Sequence, residues 1–96
     1  MYFMDKEEKI SSIEKSINIL ELISKEKNGL KLKQISTLLN LNASTVHHII
    51  STLLKTGLTI KSEKKYYLGT KMLELTHGYF DNLYNYRNNH ESVLTF

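Results

Sequence analysis

The sequence contains no cysteine, no proline and no tryptophan. Without cysteine there can be no disulfide scaffold, thiolate zinc site, iron–sulfur cluster or cysteine nucleophile. Long apolar runs are lacking too, because the longest, Met1 to Met4, is far too short for a signal peptide or a membrane span. The 96 residues suffice for one domain, and 41% hydrophobic with 24% charged residues is typical of a soluble fold. We therefore expect a cytoplasmic protein without a membrane segment.

Acidic residues are scarce in the middle of the chain. Residues 31–71 contain seven lysines and a single acid, Glu63, whereas residues 1–30 contain five lysines and six acids. A surface that faces DNA phosphates requires such a composition, since carboxylates are repelled by a polyanion. A solvated lysine-rich face has the same composition. Charge alone leaves both interpretations open.

A first helix is predicted to start at Ser11 and to run to about residue 26. Ser11 and Glu14 have the spacing of a capping box. Apolar residues then recur at helical spacing, namely Ile13, Ile17, Leu20 and Ile23. The pair Asn28-Gly29 is expected to close the helix, because both residue types tolerate left-handed backbone. Residues 30–32 alternate and predict a very short strand.

Two further helices are predicted from the next segment. Residues 33–39 favour a helix of about two turns, which Asn40 interrupts. Asn42 is a suitable N-cap for a third helix over residues 43–56. The apolar residues of that helix form one continuous stripe, made of Val46, Ile49, Ile50, Leu53 and Leu54. This stripe is expected to face the core.

A β-hairpin over residues 58–68 follows, because residues 58–61 and 65–68 alternate around a turn at residues 62–64. The alternation directs one of Tyr66 and Tyr67 outward, available for stacking on bases, and the other into the core. The predicted fold is mainly α with a small β-hairpin. Its expected parts are a winged helix-turn-helix over residues 11–70, a C-terminal linker or dimerisation helix over residues 71–84, and a polar tail over residues 85–96.

The outer face of the third helix is small, hydroxylated and free of acids. A solvated helix face ordinarily carries pairs of glutamate and lysine, so this composition favours DNA recognition. Contacts to base edges are predicted for Ser44, Thr45, His48 and Ser51. Contacts to the DNA backbone are predicted for Lys33, Asn42, His47, Thr52, Lys55, Lys61, Lys64 and Lys65. The three lysines of the hairpin have a second interpretation, as residues that only promote solubility.

The ordered set of residues from Leu41 to Leu53, then Gly57-Leu58, then Tyr66-Tyr67-Leu68-Gly69, resembles the DNA-binding domain of IclR-type transcriptional regulators. The run from Ser12 to Glu21 is similar to the first helix of that family, and the resemblance covers about residues 11–80. It implies a dimeric repressor or activator that binds double-stranded DNA, and of these we expect a repressor. It also implies that helix 43–56 enters the major groove, with the hairpin against the backbone or minor groove.

Three features depart from the family pattern. His48 stands where the family usually has arginine, so a permanent charge is replaced by one that depends on pH. Asn40 stands where the family usually has glycine, and asparagine is the next-best residue for left-handed backbone. The family's C-terminal effector-binding domain is not expected in a chain of this length. Effector binding is therefore not carried over, and no cofactor is expected.

The histidines do not form a catalytic or metal-binding constellation. His47 and His48 are adjacent and therefore point in different directions on a helix, and His77 and His90 have no ligand spacing. We predict that the protein is not an enzyme, has no catalytic residues and binds no metal.

Surplus apolar residues at both ends predict a homodimer interface between the first and last helices. The residues assigned to it are Tyr2, Phe3, Ile10, Tyr79, Phe80 and Leu83. A loosely packed tail is the alternative interpretation. A second functional hypothesis is a protein-interaction winged helix, a truncated family member that forms heterodimers with another regulator or sequesters it. Salt-dependent binding of duplex DNA by the isolated chain would distinguish the two hypotheses.

Overall fold

The computed structural model of the chain describes residues 11–89. Its elements in chain order are α1 (Ser12–Ser24), α2 (Leu32–Leu39), α3 (Ala43–Thr56), β1 (Thr59–Ser62), β2 (Lys65–Leu68) and α4 (Thr70–Asn89). This order confirms the predicted fold class, mainly α with one small hairpin. The last helix continues to Asn89, past residue 84, where the sequence predicted its end.

The start of α1 is a complete capping box. The backbone N–H of Glu14 donates to Ser11 Oγ at 3.1 Å, and the backbone N–H of Ser11 donates to Glu14 Oε1 at 3.2 Å. The predicted closure by Asn28-Gly29 is wrong, because α1 ends at Ser24 with Lys25 as a right-handed C-cap. Gly29, with φ of 77°, belongs to the turn that follows.

The core lies where α1, α2, α3 and the hairpin meet. Its buried apolar residues are Ile19, Ile23, Leu30, Ile35, Val46, Ile49, Ile50, Leu53 and Tyr66. The stripe predicted for the third helix is confirmed, since four of its five members are buried and Leu54 packs against them. The stripe predicted for α1 is only partly right. Ile13 and Ile17 are 74% and 49% exposed, because the core covers only the C-terminal half of α1.

The hairpin pairs β1 with β2 antiparallel, from Thr59 opposite Leu68 to Ser62 opposite Lys65. Leu30 extends this sheet by one residue, because it exchanges backbone hydrogen bonds with Tyr66. The strand predicted over residues 30–32 is thereby reduced to a single bridge, and α2 already begins at Leu32.

Two glycines fix the hairpin against α3. Gly57 ends α3 with left-handed backbone, at φ of 84°. The chain returns at Gly69, where a Cβ atom would lie 2.1 Å from the carbonyl oxygen of Gly57. The N–H of Gly69 donates to the carbonyl of Leu58 at 2.8 Å. Only glycine allows this close approach of two backbones.

The two tyrosines of β2 differ in their surroundings. Tyr66 is buried in the core. Tyr67 is half-buried, and its ring lies where a side chain on Gly29 would stand. Its hydroxyl donates to the carbonyl of Asn28 at 3.3 Å. Tyr66 confirms the prediction that one tyrosine of the pair lies in the core. The turn after α1 holds the hydroxyl end of the Tyr67 ring, and stacking of Tyr67 on bases stays a prediction.

Candidate nucleic-acid interface

Burial of one side of α3 leaves its opposite side at the surface. Ser44 and His48 are exposed there, and Thr45 and Ser51 are half-buried. All four residues assigned to base contacts thus lie on one helix, and all fourteen residues of α3 lack a carboxylate. Such a face presents hydroxyl and imidazole groups without the repulsion that an acid would cause near DNA.

The N-terminus of α3 is open. The Asn42 side chain forms no capping hydrogen bond, unlike that of Ser11 on α1. Asn40 has left-handed backbone, with φ of 55°, and turns the chain between α2 and α3. The first N–H groups of a helix carry a partial positive charge and remain available to an acceptor. The start of α3 is therefore composed as helix N-termini that bind anions are, with free N–H groups and no acidic residue in the first turn.

Three hydroxyls on α3 are engaged by the helix itself, those of Ser51, Thr52 and Thr56. Ser51 Oγ donates to the carbonyl of His47 at 2.8 Å, and Thr52 Oγ1 lies 3.5 Å from the carbonyl of His48. A hydroxyl that has donated its proton retains lone pairs. Ser51 therefore presents an acceptor to a partner in this arrangement.

The predicted backbone-contact residues lie on three elements. Those of α3 and its N-cap are exposed, namely Asn42, His47, Thr52 and Lys55. On the hairpin, Lys61 and Lys64 are exposed and Lys65 is half-buried. Lys33 is exposed on α2 and shares an open groove with Lys65. The structure thus does not unite the whole set on one helix.

Two further charged residues lie next to residues that the sequence assigned to DNA contact. Lys31 lines the same groove as Lys33 and Lys65. Glu63 occupies the turn of the hairpin next to Lys64. The sequence shows that Glu63 is the only acid in residues 31–71.

The α4 helix leaves large apolar side chains at the surface. Leu73, Leu75, Tyr79, Phe80 and Tyr84 are all about half exposed or more, and Leu83 is half-buried. The Tyr79 and Phe80 rings meet edge to face, with centres 5.3 Å apart. Of the residues assigned to a dimer interface, Tyr2, Phe3 and Ile10 lie outside the described residues.

Among the described residues, no group of three or more metal-ligating side chains comes together. Within the same part of the chain, no helix is both long and apolar enough to cross a membrane.

A short helix, a turn, a longer helix with an acid-free outer face, and a lysine-bearing hairpin together define a winged helix-turn-helix DNA-binding domain. Residues 12–59 match the IclR helix-turn-helix domain. The chain belongs to the IclR family of transcriptional regulators, and the resemblance seen in the sequence is confirmed.

Named relatives agree with this assignment. The chain is 36% identical over 70 residues to the HTH-type transcriptional regulator XynR of Escherichia coli (strain K12). The matched segment covers 71% of this chain and 28% of XynR. The chain superposes on the repressor BlcR of Agobacterium tumefaciens with a TM-score of 0.71 and 17% identity, covering 79% of this chain and 31% of BlcR. It also superposes on an IclR family regulator from Brucella abortus, with a TM-score of 0.70 and 20% identity. That match covers 86% of this chain and 33% of the Brucella protein. The chain thus spans about a third or less of these relatives' length.

Proposed function

We propose that this chain is a repressor that inserts α3 into the major groove of a specific DNA site, with the β1–β2 hairpin against the backbone or minor groove. The observation that carries the proposal is the composition of α3. Its inner side is buried in the core, and its outer face has no carboxylate. The major groove is roughly 12 Å wide and admits a helix of this kind. The family is one of regulators rather than enzymes.

Base recognition is assigned to Ser44, Thr45, His48 and Ser51. Ser44 lies in the first turn of α3, where helix-turn-helix proteins most often reach base edges. Because Ser51 already donates to the helix backbone, it is suited to accept from the amino group of adenine or cytosine. His48 offers a ring nitrogen as donor or acceptor.

Contacts to phosphates are assigned to the open N-terminus of α3 and to polar and cationic residues on three elements. Asn42, His47, Thr52 and Lys55 belong to α3 and its N-cap, and Lys33, Lys61, Lys64 and Lys65 belong to α2 and the hairpin. Each lysine that neutralises one phosphate contributes about one unit to the dependence of affinity on salt. Lys64→Ala is expected to weaken binding to all sequences alike and to reduce that log–log slope by about one unit.

Repression is supported by BlcR, a relative in structure that is named a repressor. The likeness at 17% identity concerns the fold, so the sign of regulation is our inference. A reporter gene under a promoter that contains the selected site should be silenced by the chain. Increased expression would make it an activator.

The geometry of DNA supports a homodimer. Successive major grooves on one side of a duplex are about 34 Å apart, and one copy of α3 contacts too few base pairs to select a site. The exposed apolar face of α4, including Tyr79, Phe80 and Leu83, is assigned to the dimer contact, with residues 11–70 as the DNA-binding unit and residues 71–84 as the dimerisation segment.

Selection of bound duplexes from a random pool tests base recognition. Replacing Ser44, His48 and Ser51 together by alanine should remove about 1–3 kcal/mol of specific affinity per good base contact and leave non-specific binding nearly intact. A matched control replaces Glu21 on the outer face of α1 by alanine, which should change neither. Equal losses on specific and random duplexes would argue against base recognition.

Sedimentation of the full chain tests the dimer. Tyr79→Glu with Phe80→Glu should give a folded monomer with lower operator affinity, whereas Asp81→Lys on the opposite side of the same helix should remain dimeric. A monomeric wild-type chain at concentrations that give specific binding would rule out the homodimer.

The same exposed face of α4 supports a second candidate function. In this candidate the exposed apolar face of α4 pairs with a longer regulator of the same family. This candidate requires that the isolated chain show no salt-dependent binding to duplex DNA.

A further inference from the structure

Glu63 lies at the tip of the hairpin. Ser62 and Lys65 are the last paired residues, so Glu63 and Lys64 alone form the turn. Both are exposed, at the end of the hairpin opposite the buried Thr59. The tip therefore presents one carboxylate and one ammonium group to whatever the hairpin meets.

The conformation of the turn does not explain a glutamate at this position. Glu63 and Lys64 have positive φ, at 49° and 67°. A two-residue hairpin turn with positive φ at both positions favours asparagine, aspartate and glycine. Other side chains adopt left-handed backbone only at a cost in free energy. Asparagine, aspartate or glycine would adopt this backbone at position 63 with a lower cost in free energy.

Ion pairing does not explain the glutamate either. In the described part of the chain Glu63 forms no salt bridge, although Lys64 and Lys65 are its neighbours. The ammonium group of Lys61 lies 5.5 Å from the centre of the Tyr66 ring. A free carboxylate on a cationic hairpin weakens attraction to phosphates of any sequence.

Minor-groove chemistry supplies a use for such a group. A carboxylate only accepts hydrogen bonds. In the minor groove an A·T pair presents acceptors alone, whereas a G·C pair adds the 2-amino donor of guanine. A carboxylate placed there is repelled by A·T pairs and can bond to G·C pairs.

We propose that Glu63 is a specificity-determining residue, which accepts a hydrogen bond from a guanine 2-amino group in the minor groove beside the α3 site and so selects G·C over A·T at that base pair. This inference rests on the proposed function, and it commits the hairpin tip to the minor groove. Lys64, next to Glu63, offsets the repulsion from the adjacent phosphates.

Base analogues test this inference on the full chain. In the duplex selected by the wild type, each flanking G·C pair is replaced by inosine·C, which removes only the 2-amino group. Wild type should lose about tenfold in affinity at one flanking position, as expected for a hydrogen bond to a charged group. Adding the amino group to an A·T pair at that position, as 2,6-diaminopurine·T, should restore affinity.

Two variants separate this contact from a general effect of charge. Glu63→Ala should bind the G·C, inosine·C and A·T duplexes with affinities within about twofold of one another, since no acceptor remains to sense the amino group. Lys64→Ala should bind all duplexes more weakly and keep the tenfold preference, because its contact is with phosphate.

The outcomes distinguish this inference from the proposed function. Specific binding by wild type with no loss on inosine·C at any flanking position would overturn the role of Glu63 and leave the proposed function intact. A gain by Glu63→Ala of one common factor on every duplex would likewise reduce Glu63 to a general charge effect. Failure of wild type to select any duplex would overturn the proposed function itself.

Discussion

Helices α1 and α3 have nearly the same length, 13 and 14 residues, and both pack into the same core, yet their outer sides differ. The outer side of α1 carries charged residues such as Glu14 and Glu21, and Lys25 follows at its C-cap, as on a solvated helix. That of α3 carries hydroxyl and imidazole groups and no acid. The difference teaches that the inner faces of both helices serve the fold, whereas the composition of the outer face of α3 supports the proposed contact with DNA.

The ends of the two helices differ in the same sense. The start of α1 is closed by Ser11 and Glu14, while the start of α3 has no side-chain cap. The C-cap of α1, Lys25, has right-handed backbone. The C-cap of α3 is Gly57, which has left-handed backbone and a carbonyl group close to Gly69. The α3 helix is therefore held through its C-terminal end, and its N-terminal end is left open.

The largest expected effect tests whether the inner faces are equivalent. Ile19 on α1 and Ile50 on α3 are both fully buried. Ile19→Ala and Ile50→Ala should each lower the free energy of unfolding by about 2–5 kcal/mol, from lost burial and the cavity that remains. Denaturant titrations measure both. A large loss at one helix with almost none at the other would refute the shared core.

The next effect concerns the junction at the end of α3. Gly69→Ala should destabilise the fold by about 2–3 kcal/mol, because its Cβ would collide with the backbone at Gly57. Gly78→Ala is the matched control. Position 78 lies inside α4 with open space around it. Alanine there should raise the free energy of unfolding by about 1 kcal/mol, because its helix propensity is higher than that of glycine. Tolerance of alanine at 69 would mean that the two backbones separate without cost.

A smaller effect separates the two helix starts. Ser11→Ala removes a capping hydrogen bond and should cost about 1 kcal/mol of stability. Asn42→Ala removes no such bond, so the free energy of unfolding should change by only a few tenths of a kcal/mol, while affinity for DNA falls. Thermal melts and duplex titrations on both variants measure this contrast. Equal destabilisation would show that Asn42 caps α3 in solution.

The smallest effect concerns a buried hydroxyl in β1, which packs against α3. Thr59 is 1% exposed, and its Oγ1 has no hydrogen-bond partner among the described residues. Thr59→Val should raise stability by about 0.5–1 kcal/mol, since an unsatisfied polar group is replaced by a methyl group. Thr56→Val is a useful comparison, because Thr56 Oγ1 donates to the carbonyl of Leu53. Removal of that hydrogen bond should lower the stability of the fold. A loss at Thr59 would point to a hydrogen bond formed in solution.

Much of this fold could be predicted from local patterns. The stripe from Val46 to Leu53 identified α3 and its buried side, and alternation around residues 62–64 identified the hairpin. The acid-free face of α3 and the isolation of Glu63 were visible in the sequence as well. The end of α1 was misplaced, because Gly29 was taken as its C-cap, whereas its left-handed backbone belongs to the following turn and its missing side chain leaves room for Tyr67.

By itself the sequence determined the elements, their order and the inner side of α3, because hydrophobic period and capping depend on residues only three or four positions apart. It also determined where charge is available, since composition needs no coordinates. Tertiary structure alone decided that Ile13 and Ile17 stay exposed, that Tyr67 covers Gly29, and that Gly69 contacts Gly57. Each of these depends on which distant segments meet. A side chain is buried only where another part of the chain covers it, and no local pattern records that meeting.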